Sequence, residues 1–307
     1  MTDDESLPST EERDPHERDL DLCSTPDLVV RLIEANARAL DAVRAAAPAI
    51  TRAVDAIAAS LQGGNRLHYV GAGTSGRLAT LDAAELPPTF GTSPDLVLAH
   101  VAGGLPALVH AVEGAEDDAG AGETAMESSV VAGDVVIGIS ASGGAPFVVA
   151  AIAAAQVAGA ATIALTSVAD SPLARAADDA IVIDSGPEPI AGSTRLRAGT
   201  AQKIVLNAIS TAVMVRLEKV FDVYMVDLVA TNAKLRARAT RLVQTIAGVD
   251  DAVACELLHV ACGSVKTAVV MAQRHTDVDT ARQLLAAEHG SLRRAGAFPA
   301  VDHGARM

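Results

Sequence analysis

Five short apolar runs, RLHYV (66–70), DLVLAHV (95–101), DVVIGIS (134–140), ATIALTS (161–167) and AIVID (180–184), alternate with alanine-rich stretches of helical length. Few folds accept that alternation. Strands separated by helices predict an α/β architecture with a doubly wound, mainly parallel sheet. Because the runs are continuously apolar, both faces of the sheet are expected to be covered by helices. Ligands of such sheets sit outside the carboxyl ends of the strands, so the loops after 70, 101, 140 and 184 are where function is sought.

The flanks follow a different rhythm. From Ser24 to about 61, apolar residues at helical spacing (Leu28, Leu32, Ile33, Leu40, Val43) predict two long helices, with Ser24-Thr25-Pro26 as the start signal. The stretch FVVAAIAAAQVAGAATIAL (147–165) is polar only at Gln156 and Thr162, yet Gly159 breaks it. It is expected to be a buried helix, a turn and a buried strand rather than a membrane span. SGPEPIAGSTRLRAG (185–199) is a long irregular connection, and such loops inside compact domains are more often functional than idle. A helix is predicted at 200–219. From about 246 the pattern is short helices punctuated by Gly263, Gly290 and Gly296. The expected organisation is an acidic tail (1–22), N-terminal helices (23–62), the α/β domain (63–245) and a small helical C-terminal domain (246–307).

Charge and composition narrow the partners. The net charge is −14, and residues 1–22, with nine acids against Arg13 and Arg18, carry half of it. Such a balance speaks against nucleic acid and anionic membrane surfaces. Aromatics make up 2% of the chain, so platforms for stacking bases are nearly absent. Cys23, Cys255 and Cys262 form no C-x-x-C pair and are expected to be reduced, buried thiols of a cytoplasmic protein. The eight histidines show no paired ligand spacing, so no metal is expected. His68, inside a predicted strand, is expected to be a satisfied core residue.

The first strand feeds GAGTSGR (71–77), a G-x-G-x-x-G loop that suits either a dinucleotide or a smaller phosphate. A dinucleotide site also needs an acid at the end of the second strand to hold the ribose. Here that strand ends His100-Val101-Ala102-Gly103-Gly104, and no such acid is placed. The loop offers hydroxyls instead, Thr74 and Ser75 between Gly73 and Gly76. The third strand ends in a second loop of the same kind, with Ser140, Ser142 and Gly143. Two hydroxyl-glycine loops side by side are expected to wrap one compact phosphate with N–H and hydroxyl donors, without a cofactor.

GAGTSGR followed by S-x-S-G at the third strand resembles the sugar isomerase (SIS) domain. LDAAELPPTFG (81–91), AGG (102–104), HAVEGAEDD (110–118), AGSTRLRAGTAQK (191–203), KVFDVYMVDLVATNAKL (219–235) and CGSVKTAVVM (262–271), with TEERDP (10–15), together resemble the N-acetylmuramic acid 6-phosphate etherases. The sequence departs from that family at Ser142-Gly143-Gly144-Ala145-Pro146, where the usual pattern is S-G-R-T-P, and at Leu86 and Leu105.

The resemblance implies a lyase that cleaves the D-lactyl ether at C3 of a phosphorylated amino sugar, in cell-wall amino-sugar catabolism, giving N-acetylglucosamine 6-phosphate and D-lactate. Once the ring opens, the C2 proton lies next to an aldehyde. A positioned carboxylate can remove it, the enolate expels lactate, and water adds back. That route needs a base and an acid, each contributing roughly 10²–10⁴ in rate, and donors for the enolate oxygen. By resemblance Glu116 is the base and Glu85 the acid. From the residues alone, Glu85 beside two prolines and Glu116 among Glu113, Asp117 and Asp118 are equally ordinary surface acids. Ser193, Thr194, Arg195, Arg197 and Lys203, in and after the long loop, are candidates to meet the phosphate or the lactate carboxylate. Glu85 lies about ten residues, ~15 Å, along a helix from the phosphate loop, so either the helix is cut short at Pro87-Pro88 or Glu85 acts from another direction. SIS domains commonly pair, and a homodimer is expected, with the N-terminal helices as interface and residues 1–22 ordered against the partner. The competing readings are a sugar-phosphate-sensing regulator like the glucokinase regulatory protein, and a phosphosugar isomerase.

Overall fold

The computed structural model describes residues 10–228 and 233–298. The chain divides into two compact units. The first takes the chain up to Ala84 together with Pro94–Val213, and the second takes Glu85–Ser93 together with the chain from Met214.

In the first unit, five strands form one parallel sheet: β1 (Leu67–Gly71), β2 (Val97–Val101), β3 (Val135–Ile139), β4 (Ala161–Thr166) and β5 (Asp179–Val182), in the order β2-β1-β3-β4-β5. Each expected run became a strand. Every residue of β1 and β3 is buried, which is why their sequences do not alternate. Edge strand β2 is only half-buried beyond Val97. The connecting helices are α4 (Gly73–Phe90), α5 (Ala119–Glu127), α6 (Pro146–Val157), α7 (Pro172–Ala176) and α8 (Arg197–Arg216). Phe147, Val148 and Ile152 of α6 pack on Val70, Val136 and Ala164 of the sheet. The apolar stretch at 147–165 is thus a helix, a turn at Gly159 (φ +83) and a strand. Among the described residues no single helix is long and apolar enough to cross a membrane.

Three N-terminal helices precede the sheet where two were expected: α1 (Thr25–Ala35), α2 (Ala37–Ala45) and α3 (Ala47–Gln62). Ser24 caps α1, its hydroxyl accepting from the Asp27 N–H at 3.3 Å, with Pro26 in the first turn. The unexpected break falls at Asn36, whose side chain turns back to donate to the Leu32 carbonyl and competes with the helical ladder. Residues 10–22 lie against their own chain. Asp14 pairs with Arg197 and Arg38, and Glu17 with Arg31. Residues 1–9 of the expected tail lie outside the described residues.

The expectation that Pro87-Pro88 end α4 is corrected. The helix runs through both to Phe90, because proline φ is already helical and only two hydrogen bonds are lost near the end. Gly91, at φ +64, ends it instead, its N–H donating to the Pro87 carbonyl.

The second unit holds a short hairpin, β6 (Val220–Phe221) with β7 (Tyr224–Met225). Five helices follow: α9 (Ala233–Ala247), α10 (Asp251–Val260), α11 (Val265–Arg274), α12 (Val278–Ala287) and α13 (Leu292–Ala295). Its core gathers Leu242, Val243, Ala254, Leu258, Val269, Val270 and Leu292. Cys255 and Cys262, expected to be buried, are exposed, and Cys23 is half-buried. Ala254 and Leu258 take the inward face of α10, leaving Cys255 outside, and Cys262 sits in a left-handed turn (φ +53) past that helix.

Candidate functional site

The chain runs from β1 to β2 on one side and then crosses back past β1 to β3 on the other, so the carboxyl ends of β1 and β3 flank the point where the strand order reverses. A cavity of about 520 Å³ opens there. All four inspected connections reach it: Gly73, Thr74 and Ser75 after β1, Glu116 and Asp117 between β2 and α5, Ser140 and Ser142 after β3, and Gly192 and Thr194 after β5. Glu11, from the N-terminal segment, completes the wall.

Local structure aims these groups. Gly73 opens α4 in the left-handed region (φ +53), where a side chain is strained, and leaves the helix's first N–H groups without intrahelical partners. Ser140 Oγ accepts from the Gly143 N–H at 3.1 Å, and Ser142 Oγ from the Gly144 N–H at 3.3 Å. Each serine oxygen is thereby fixed while its own proton stays available to an anion. Buried Ser75 donates to Gln202 Oε1 at 2.9 Å, so α8 orients the hydroxyl of the first loop. Such a wall presents hydroxyl groups and a helix N-terminus, groups able to donate to an anion. None of its described lining residues is a lysine or arginine.

Other predicted residues stand elsewhere. Gly76 does not line the cavity; a Cβ there would come within 2.7 Å of the Gly71 carbonyl and of Val101, so it lets α4 pack on the sheet. Gly143 (φ +69) also lies behind the wall, where a Cβ would meet Ser171 Oγ at 2.2 Å. Ser193, Arg195 and Lys203 are not among the lining residues, and Arg195 and Lys203 are exposed. The charge of Lys203 bears instead on Asp82. Asp82 is buried and accepts from Tyr69 Oη, Asn207 Nδ2 and Ser210 Oγ. Burial raises its pKa, against the pull of those donors.

Of the two glutamates, Glu116 lines the cavity from a single 3-10 turn, Ala115–Asp117, that follows left-handed Gly114. Glu116 also lines a neighbouring cavity of about 150 Å³ with Arg77 and Glu113. Glu85 is exposed on α4, in the second unit, and lines neither cavity.

Arg197, expected near the ligand, is 1% exposed and serves structure. Its guanidinium donates to the carbonyls of Ala35 and Pro187 and to Asp14 Oδ2. Glu188, equally buried, accepts the Arg197 and Ala198 N–H groups at 2.7 and 2.9 Å and so caps α8. Burial raises the Glu188 pKa despite those bonds. The sequence reading missed Glu11, although TEERDP was the signal for it. Gly192 admits it: a Cβ there would stand 2.7 Å from Glu11 Oε2. His68 is a core residue as expected, its ring held between Asp134 Oδ2 (3.2 Å) and His100 Nε2 (3.1 Å). Burial lowers its pKa, outweighing the attraction of Asp134.

Residues 49–156 match the family model described as glucokinase regulatory protein N-terminal SIS domain, and residues 117–212 match the SIS domain. Over 287 residues the chain is 48% identical to N-acetylmuramic acid 6-phosphate etherase of Salmonella agona (strain SL483), covering 93% of this chain and 97% of the relative. The Salmonella typhi protein of the same name is 47% identical over the same span. Among solved structures, a phosphoheptose isomerase from Francisella tularensis superposes with a TM-score of 0.50 at 19% identity, covering 62% of this chain and 98% of that one. That likeness is one of fold.

Proposed function

Because the chain belongs to the N-acetylmuramic acid 6-phosphate etherase family, we propose that it is a carbon–oxygen lyase that cleaves the D-lactyl ether of N-acetylmuramic acid 6-phosphate, yielding N-acetylglucosamine 6-phosphate and D-lactate. The observation that carries the reading within the molecule is Glu116 standing on the wall of a hydroxyl-lined cavity at the sheet's switch point. In this reading Thr74, Ser140 and Ser142 hold the sugar phosphate through their hydroxyls, and Ser75, whose hydroxyl proton goes to Gln202, through its backbone N–H at the start of α4. Glu116 then takes the C2 proton of the open-chain sugar, the C3–O bond breaks as the enolate collapses, and Glu85 protonates the departing lactate oxygen. Water adds at C3 to complete the reaction.

Proximity supports this division of labour. A base held against the C2 proton by a fixed turn saves the entropy of bringing the two together. With α4 unbroken to Phe90, Glu85 stands ~15 Å along the axis from Ser75. That supports an acid reaching the sugar from a direction other than the phosphate end of its own helix, as a paired subunit supplies. We accordingly propose a homodimer. Val29, Val30 and Ile33 of α1 and Leu40 of α2 are 42–67% exposed, an apolar patch of the kind that marks interfaces.

Incubation of the purified protein with N-acetylmuramic acid 6-phosphate, followed by an enzymatic assay for D-lactate, tests the activity. Tight binding of sugar phosphate without lactate release would favour a sensor and sink the lyase reading. Light scattering at micromolar protein tests the dimer, and a monomeric mass would overturn it.

A further inference from the structure

The smaller cavity beside Glu116 has no part in the mechanism so far. It measures about 150 Å³ and shares Ala72, Gly73 and Glu116 with the larger one. The two are therefore adjoining chambers, with Glu116 on the wall of both. Their chemistry differs. The larger chamber carries hydroxyls and the acids Glu11, Glu116 and Asp117. Arg77 is the one lysine or arginine among the described residues that line either.

We propose that the smaller chamber is a carboxylate subsite, and that Arg77 binds the acid group of the three-carbon ether substituent there. This rests on the lyase reading. The proposed substrate carries two anions at opposite ends of its reactive part, a phosphate and a carboxylate. The hydroxyl loops and helix terminus account for the first. A carboxylate left in the larger chamber would face three acids of like charge, whereas Arg77 offers it an opposite one. Arg77 lies one turn past Gly73 on α4, four residues on, and so on the same face of the helix. Its Nη2 donates to the His110 carbonyl at 3.2 Å. That fixes the side chain and leaves other N–H groups of the fork for bidentate recognition.

Size and wall agree. The chamber equals roughly five water volumes at ~30 Å³ each, room for the six non-hydrogen atoms of a lactyl group. Ala107 and Val112 give it an apolar side for the methyl group. With the carboxylate held on one side of Glu116 and the phosphate on the other, the C2–C3 bond is drawn across that carboxylate. Glu113 also lines the chamber, and its like charge opposes a bound carboxylate there.

The test compares two substrates, N-acetylmuramic acid 6-phosphate and its counterpart with the lactyl carboxylate converted to a carboxamide, using wild type, Arg77→Met, Arg77→Lys and Glu113→Gln. Arg77→Met is expected to raise KM for the acid roughly 10- to 100-fold, the loss of one charge-assisted contact, and to leave KM for the amide within twofold. Arg77→Lys restores part of the loss. Glu113→Gln lowers KM for the acid and strengthens product inhibition by D-lactate, a readout independent of whether the Arg77 variants fold. Equal effects of Arg77→Met on both substrates, or no effect on either, overturn the subsite while leaving the lyase reading intact. A wild type that releases no lactate overturns both.

Discussion

Replacing Asp14 by alanine should damage this protein more than any other single change in its acidic N-terminal segment. Asp14 and Arg197 are each 1% exposed at the side chain, and their Oδ2–Nη2 contact is 3.1 Å. Asp14 Oδ1 also accepts the His16 N–H at 2.9 Å, and Arg38 approaches Oδ2 at 3.3 Å. Removing one partner of a buried pair leaves the other charge uncompensated and costs about 3–5 kcal/mol. The exposed pair Arg44–Asp41, 68% and 75% accessible, is the control, and Asp41→Ala should cost under ~1 kcal/mol. With a urea m-value of ~3 kcal/mol/M the expected midpoint shift for Asp14→Ala is about 1–1.7 M. The chain has no tryptophan and two tyrosines. In a Tyr224→Phe background Tyr69, fully buried in the first unit, is the only tyrosine reporter of the unit that carries the pair. Asp14→Asn should cost less than Asp14→Ala, since it keeps hydrogen bonds while losing charge. Burial pushes the Asp14 pKa up, but the His16 N–H, Arg197 and Arg38 outweigh it, and the value lies below 3.8. A depressed carboxylate stabilises above its unfolded pKa and loses that contribution as pH falls through the folded one, so the gap between wild type and Asp14→Ala should close in strong acid. A midpoint for Asp14→Ala no lower than that of Asp41→Ala would refute the reasoning.

Other expectations concern the site and the sheet. Glu116→Gln should abolish both lactate release and exchange of the C2 hydrogen with solvent deuterium, whereas Glu85→Ala should block release and leave some exchange; the reverse pattern, read by NMR, would swap the proposed roles. Gly143→Ala puts a Cβ 2.2 Å from Ser171 Oγ at φ +69, so it should displace Ser140 and Ser142 and weaken sugar-phosphate binding by calorimetry; unchanged affinity would show that the loop is not held as described. His100 is lowered to about 4, first by burial and then by the charges of His68 and Arg66. The unfolded chain, titrating near 6.5, therefore binds the extra proton between those values, and stability should fall by up to about 3 kcal/mol as pH drops from 6.5 to 4. His100→Leu should flatten that slope in urea titrations, with a residue of the same sign left by His68; an unaltered slope would rule His100 out.

The sheet was legible because a parallel strand buried on both faces leaves a continuous apolar run, and each run at 66–70, 134–140 and 161–167 is long enough for one strand and too short for a helix. The two hydroxyl loops were legible because glycine and serine spacing acts locally, within a few residues of each strand end. What escaped was set by distant partners. Arg197 is chemically a good ligand for phosphate, and nothing in AGSTRLRAG shows that its partner lies 183 residues away in Asp14. Pro87-Pro88 signalled a helix end, yet the end is set by the left-handed Gly91 three residues on.

That misplacement of cations bears on how an acidic chain holds an anionic substrate. With Arg197 spent on structure, and Arg195 and Lys203 exposed away from the wall, the large chamber has no lysine or arginine among its described lining residues to offset Glu11, Glu116 and Asp117. In the proposed reading, phosphate binding there rests on N–H donors at the start of α4 opened by Gly73 and on the Ser140 and Ser142 hydroxyls, whose oxygens accept from Gly143 and Gly144. Donors of that kind act at short range and are barely screened, unlike a surface lysine. Sugar-phosphate affinity should therefore be nearly flat between low and moderate salt, whereas the carboxylate held by half-exposed Arg77 should weaken as salt rises. Measuring KM for the acid and amide substrates across ionic strength separates the two anions: a salt dependence shared equally by both would mean that the phosphate, too, is held by long-range charge, and that the donor wall is not what binds it.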